Sequence, residues 1–190
     1  MNKKIYKEIF EWVRSIFIAV VIAICIQIFI SPTIVNGESM YPTLENNDFL
    51  IINKLAYTNK LPNRGDIIAF KTDLIDSKTN KKKDLIKRVI ALPGERITIK
   101  DYSVYINGQL FSENYINNID TSGDIDIIVP EGHVFVLGDN RGNSADSRDS
   151  IIGTIRSDDI IGKASVRLFP FNKIGKLSNW KKIIFRNYLI

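Results

Sequence analysis

The stretch Ile16 to Ile30, IFIAVVIAICIQIFI, carries one polar residue, Gln27. With Trp12 and Val13 before it and Pro32 to Val35 after it, it approaches the roughly 20 residues that span a bilayer. A core helix of a soluble protein keeps a polar stripe, and this run has none. Arg14 can snorkel towards headgroups, and Trp12 suits an interface. Lys3, Lys4, Lys7 and Arg14 precede the run. That bias predicts a single-pass protein of the cell membrane, with a cytoplasmic N-terminus and an exported remainder. The rival is a cleavable signal peptide, because the run is short and its flank basic. Val35-Asn36-Gly37 offers a cut site that would leave Ser39 two residues from a new terminus. Retention as an anchor is the expectation. It divides the chain into residues 1–33, cytoplasmic end and transmembrane helix, and residues 34–190, an extracytoplasmic β-rich domain.

The exported part reads as strands and turns. DFLIINK and GDIIAFK are short β-rich runs bounded by turn residues, and ERITIK alternates as a half-buried strand does. VYINGQLF sets Asn107-Gly108 between two strands, a hairpin signal. IDIIVP, HVFVLG and IIGKASVRLF add three more, and no long amphipathic helix appears outside the membrane segment. The expected fold is mainly β, an antiparallel β-barrel-like domain, closed or nearly so, after one N-terminal transmembrane helix. Asp76 to Asp84, DSKTNKKKD, reads as a solvated hairpin tip, and Arg64-Gly65-Asp66 as a turn into Ile67 to Phe70. The final NWKKIIFRNYLI is too short to span, so it packs on the core or lies on the membrane.

Composition narrows the chemistry. One cysteine, Cys25, and one histidine, His133, allow neither an intrachain disulfide nor a Cys- or His-built metal cage, so no cofactor and no metal is expected. Net charge is +5, yet only Lys81 to Lys83 cluster tightly, which gives no nucleic-acid surface.

Ser39, in VNGESMYPTL, is a candidate nucleophile that needs a base. His133 follows a Pro-Glu-Gly turn, and nothing singles out an acid to hold its ring. Lys87 is the other choice. A free lysine with a pKa near 10.4 is only about 0.4% neutral at pH 8, and a drop of roughly 2–3 units raises that to several per cent or more. Leu85, Ile86, Val89 and Ile90 can supply it by burial, with Arg88 as a second positive neighbour. The residues alone leave a solvent-facing strand lysine open, and composition favours that plainer reading.

Four segments in order after an anchor change the balance: SMYPTL (39–44), RGDIIAF (64–70), KRVIALPGE (87–95) and GDNRGNSADSR (138–148). Together they resemble the type I signal peptidases, membrane-bound Ser-Lys endopeptidases that remove signal peptides from exported proteins. The resemblance implies Ser39 as nucleophile, Lys87 as general base, and Ser144 as the hydroxyl that aims the lysine amine. Asp139, Asp146 and Arg148 would form polar support, with Arg88 pairing to a carboxylate there, while Arg141 reads as part of a solvated turn. The Ser39 N–H is the natural oxyanion donor, and Gly37 stands where some relatives carry a second, hydroxyl donor. Val35, Leu44 and Ile86 are candidate pocket walls for the small residues of an Ala-x-Ala site, in a substrate lying as an added strand. Signal peptides of preproteins, the lipid bilayer and secretion machinery are the implied partners. Ala91 stands where relatives often have glycine. Two rivals keep the same motifs: a self-cleaving Ser-Lys domain like that of the SOS repressors, and a non-catalytic membrane-tethered assembly factor. The anchor argues against the first; retention of Ser39, Lys87 and Ser144 argues against the second.

Overall fold

The computed structural model describes residues 3–76, 79–116 and 120–177, so the C-terminal NWKKIIFRNYLI lies outside the described residues. Helix α1 covers Lys3–Phe29. Its span Tyr6–Phe29, 24 residues, is long and apolar enough to cross a membrane and is not buried against the sheets, unlike a core helix. It ends without a linker. Strand β1, Ile30–Ile34, begins at the next residue and pairs antiparallel with β2, Phe49–Asn53. The expected division after residue 33 thus falls inside a paired strand, and helix gives way to sheet at Phe29–Ile30. Lys54 Nζ closes the joint by donating to the Gln27 carbonyl at 3.0 Å, one of the carbonyls a helix end leaves without an intrahelical partner.

The remaining strands are β3 Ile67–Ile75, β4 Lys82–Ala91, β5 Arg96–Lys100, β6 Ser103–Ile106, β7 Gln109–Leu110, β8 Ile125–Ile128, β9 His133–Leu137, β10 Ile155–Arg156, β11 Ile160–Phe169 and β12 Gly175–Lys176, of which β4, β10 and β12 answer to no strand run singled out in the sequence. Asn107 and Gly108 join β6 to β7 with φ of 51° and 78°, the left-handed pair a two-residue hairpin requires. β3 and β4 form the long hairpin whose exposed tip holds the lysine cluster, where Lys82 pairs with Asp73 in solvent.

All pairings are antiparallel. One sheet runs β1-β2-β11-β3-β4-β9-β10, with β12 beside β11, and a second runs β7-β6-β5-β8. Neither closes, so the mainly β, antiparallel domain that was expected stands open rather than fully closed. The large sheet ends at β1, whose outer edge pairs with no strand among the described residues, and at β10, which is two residues long. Three apolar clusters knit the sheets. One matters for the site: Val35, Met40, Leu44, Leu50, Ile52, Ile67, Ala69 and Ala164 pack together, so the turn after β1 is plugged into the sheet by Met40 and Leu44. Full burial of side chains of this kind contributes about 1.5–3 kcal/mol each.

Candidate active site

Lys87 and Arg88 are neighbours on β4, and the two-residue alternation of a strand sends them to opposite faces. Lys87 faces the turn that carries Ser39. Its Nζ lies 2.6 Å from Ser39 Oγ and 3.1 Å from the Ile86 carbonyl, and the residue is 2% exposed. Burial pushes the lysine pKa from its ordinary 10.5 down to about 8, against the opposing pull of the Asp146 and Asp139 carboxylates. A buried amine that is substantially neutral near pH 8, in hydrogen-bond contact with a serine hydroxyl, can accept that proton.

Arg88 carries its charge into a different environment. Its Nε and Nη2 grip Asp139 at 2.8 and 2.6 Å, while Nη1 and Nη2 donate to the Gly65 carbonyl and to Thr43 Oγ1 at 3.0 and 3.2 Å. The guanidinium also stacks 4.2 Å from the centre of the Tyr115 ring. Arg88 is therefore spent on a buried ion pair rather than on repelling the Lys87 proton, and Thr43 ties that pair to the turn that carries Ser39.

The loop 138–148 wraps the far side of the same turn. Asp146 accepts from the Gly138 N–H at 3.0 Å and from Arg148 Nε at 2.8 Å, and Arg148 reaches on to the Arg141 and Ser122 carbonyls. Ser147 fastens the loop along β9 through both its N–H and its hydroxyl to Val136. Arg141 does not sit in a solvated turn, as its sequence setting suggested. It is 2% exposed, donates to the Gly138 carbonyl and Thr121 Oγ1 at 2.9 and 2.6 Å, and forms an ion pair with Glu113. Glu113 and Thr121 lie 28 and 20 residues away in sequence, so no local signal marks them.

Ser144 is brought to this spot but makes no bond to Lys87. Its hydroxyl is buried and has no hydrogen-bond partner among the described residues. It packs on Gly138, where a side-chain carbon would overlap Ser144 Oγ and the Ser39 carbonyl oxygen and lie 2.6 Å from Ser144 Cβ. Gly138→Ala is expected to move the turn that carries Ser39 and lower turnover about 100-fold, since a displacement of roughly 1 Å costs that much. Peptide-cleavage kinetics with a thermal melt check this; a variant as active as wild type would mean the contact is absorbed elsewhere.

A cavity of about 180 Å³ opens beside the pair, with Ser39 and Lys87 in its wall together with Val35, Met40, Ile86 and Ile161. Val35 and Ile86 thus stand where pocket walls were expected. Leu44 does not: it is fully buried in the core beneath the turn and acts as a plug. His133 opens β9 at the end away from Gly138, and its Nδ1 contacts the Glu131 carbonyl at 3.0 Å. Four residues of strand, about 13 Å, separate it from the site. Among the described residues no group of acids, histidines and cysteines could hold a metal ion.

The family model described as "Signal peptidase, peptidase S26" matches residues 9–169. This chain belongs to the signal peptidase family, peptidase S26. It is 39% identical over 184 residues to signal peptidase I T of Bacillus subtilis, covering 90% of this chain and 91% of that protein. Signal peptidase I of Leptolyngbya laminosa is 41% identical over 170 residues, 88% of this chain and 83% of that one. A crystal structure of a signal peptidase I from Enterococcus faecalis is 35% identical, with a TM-score of 0.44, over 55% of this chain and 97% of that chain. As a member of the signal peptidase family the chain is a serine endopeptidase. The N-terminal apolar helix fits a membrane-anchored member.

Proposed function

We propose that this signal peptidase removes signal peptides from exported preproteins with Ser39 as nucleophile and Lys87 as general base. The observation that carries the reading is the 2.6 Å contact between Lys87 Nζ and Ser39 Oγ inside a site that depresses the lysine pKa. The neutral amine takes the Ser39 proton as the oxygen adds to the scissile carbonyl. The ammonium then protonates the leaving amine, and the amine deprotonates the water that releases the acyl group. The Ser39 N–H serves the oxyanion. Ser144, buried without a hydrogen-bond partner among the described residues, is the hydroxyl assigned to aiming the amine. Asp139, Asp146 and Arg148 hold the frame around them.

Substrate adds as a strand at the open edge of β1, placing small alternate side chains, as in Ala-x-Ala, in the cavity by Val35 and Ile86. α1 is retained as the anchor with the sheet domain outside the cell. Cutting at residues 35–37 would detach β1, all five residues of which pair with β2. Partners on this reading are preprotein signal peptides, the bilayer and the secretion machinery.

The test uses full-length protein in detergent with a peptide bearing an Ala-x-Ala site, read by mass spectrometry beside folded Ser39→Ala. Cleavage after the second Ala by wild type alone supports the reading; equal cleavage by Ser39→Ala removes it.

Gly37 bears on the oxyanion. Its φ is +100° and nothing lies within 4 Å of where a side-chain carbon would sit, so a serine has space but strained backbone. Gly37→Ser is expected to keep cutting while losing about 1–3 kcal/mol of stability. Melting and cleavage assays check both halves, and a folded but inactive variant would show that the glycine backbone itself is required.

A further inference from the structure

Asn140 plays no part in the reaction above, yet it touches the nucleophile turn twice. Its backbone N–H donates to the Ser39 carbonyl at 3.1 Å, and its Nδ2 donates to the Glu38 carbonyl at 3.1 Å. The second contact falls on the Glu38–Ser39 peptide, whose other end is the Ser39 N–H. A trans peptide is planar, with C=O and N–H directed to opposite sides. Holding the Glu38 carbonyl therefore holds the Ser39 N–H, turned away from Asn140. Among the described residues that N–H has no acceptor, and Ser39 lines the cavity.

The peptide needs an outside reference. The residue before it, Gly37, has φ +100° and open space around it. The Tyr41 N–H also donates to the Glu38 carbonyl at 3.0 Å, but Tyr41 belongs to the same turn and moves with it. Asn140 instead follows β9 and sits beside Asp139, which Arg88 locks in place. Its side chain thus ties the peptide to the sheet.

The geometry points to Asn140 as a positioning residue that fixes the direction of the Ser39 N–H towards the oxyanion of the tetrahedral intermediate. This rests on Ser39 being the nucleophile. A donor aimed at the oxyanion, and less well at the planar carbonyl, acts on kcat rather than on KM. Removing the side chain leaves the backbone tie to the Ser39 carbonyl, so the turn stays docked.

The experiment compares full-length wild type, Asn140→Ala and the isosteric Asn140→Asp in detergent on an Ala-x-Ala peptide. Affinity is also measured for a peptide aldehyde, which adds to the nucleophile as a hemiacetal, and for a same-length peptide with a reduced, uncleavable bond. Both variants are expected to lose about 10- to 100-fold in kcat, within what removal of a whole donor costs. Aldehyde affinity should fall by the same factor. KM, affinity for the reduced peptide, melting temperature and, for Asn140→Ala, the midpoint of the pH profile should stay at wild-type values. Unchanged kcat, or equal weakening of the aldehyde and the reduced peptide, overturns the assignment. Ser39→Ala is run alongside: if it cuts as wild type does, the nucleophile reading has failed first.

Discussion

Lys87→Ala is expected to cut the model peptide at least about 10⁴-fold more slowly than wild type while remaining folded, as loss of an acting base does in serine proteases. The alanine leaves Ser39 Oγ with no amine at 2.6 Å to take its proton. Wild-type turnover should carry the lysine's own signature. On the proposed mechanism the neutral form is the active one, so the rate should rise with pH and reach half its plateau near the depressed pKa of about 8. Stability follows the same titration. The folded pKa lies below the unfolded one, so between about pH 8 and 10.5 the unfolded chain holds the proton the folded chain has lost. Resistance to unfolding should therefore increase across that window, by about 3 kcal/mol at most. A rate that is flat from pH 7 to 9, or a Lys87→Ala enzyme that still cuts, would mean another group takes the proton.

The second large effect is on stability. Arg88→Met is expected to cost about 3–5 kcal/mol, because Asp139 would remain fully buried with its counter-charge gone. A thermal melt should fall by roughly 10 °C for a chain of this size. Removing both charges, as Arg88→Met with Asp139→Leu, should recover much of the loss, since two apolar groups can replace a buried pair without leaving an orphan. A single variant that melts within two degrees of wild type would show that the pair contributes little.

What the amino-acid order made legible was what is local. Alternation marked β5, Asn107-Gly108 marked the β6–β7 hairpin, and short bounded apolar runs marked β2, β3, β8, β9 and β11. The apolar run concealed β1, because ISPTI continues the hydrocarbon of the helix and only pairing with β2 reveals a strand. Strands of two residues, β10 and β12, carry no period to detect. The site divides in the same way. Ser39, Lys87 and the 138–148 loop were recognisable as motifs. Burial of Arg141 depends on Glu113 and Thr121, and the plug role of Leu44 depends on strands on both sides. Asn140 sits inside a recognisable motif, yet its contact to Glu38 spans 102 residues of chain and only the fold shows it.

On the proposed reading, the absence of a linker between α1 and β1 would turn the enzyme into a ruler. The cavity wall begins at Ser31, two residues past the end of the helix, and β1 as a whole covers only about 17 Å. An anchor seated in a bilayer would hold the cutting point at one short height above the lipid, with Lys54 bracing the joint at Gln27. Chains would be sorted by how far their cut site stands from the membrane as well as by the residues that flank it. Lengthening the Phe29–Ile30 junction by a few residues should loosen that sorting while leaving the chemistry of the pair unchanged.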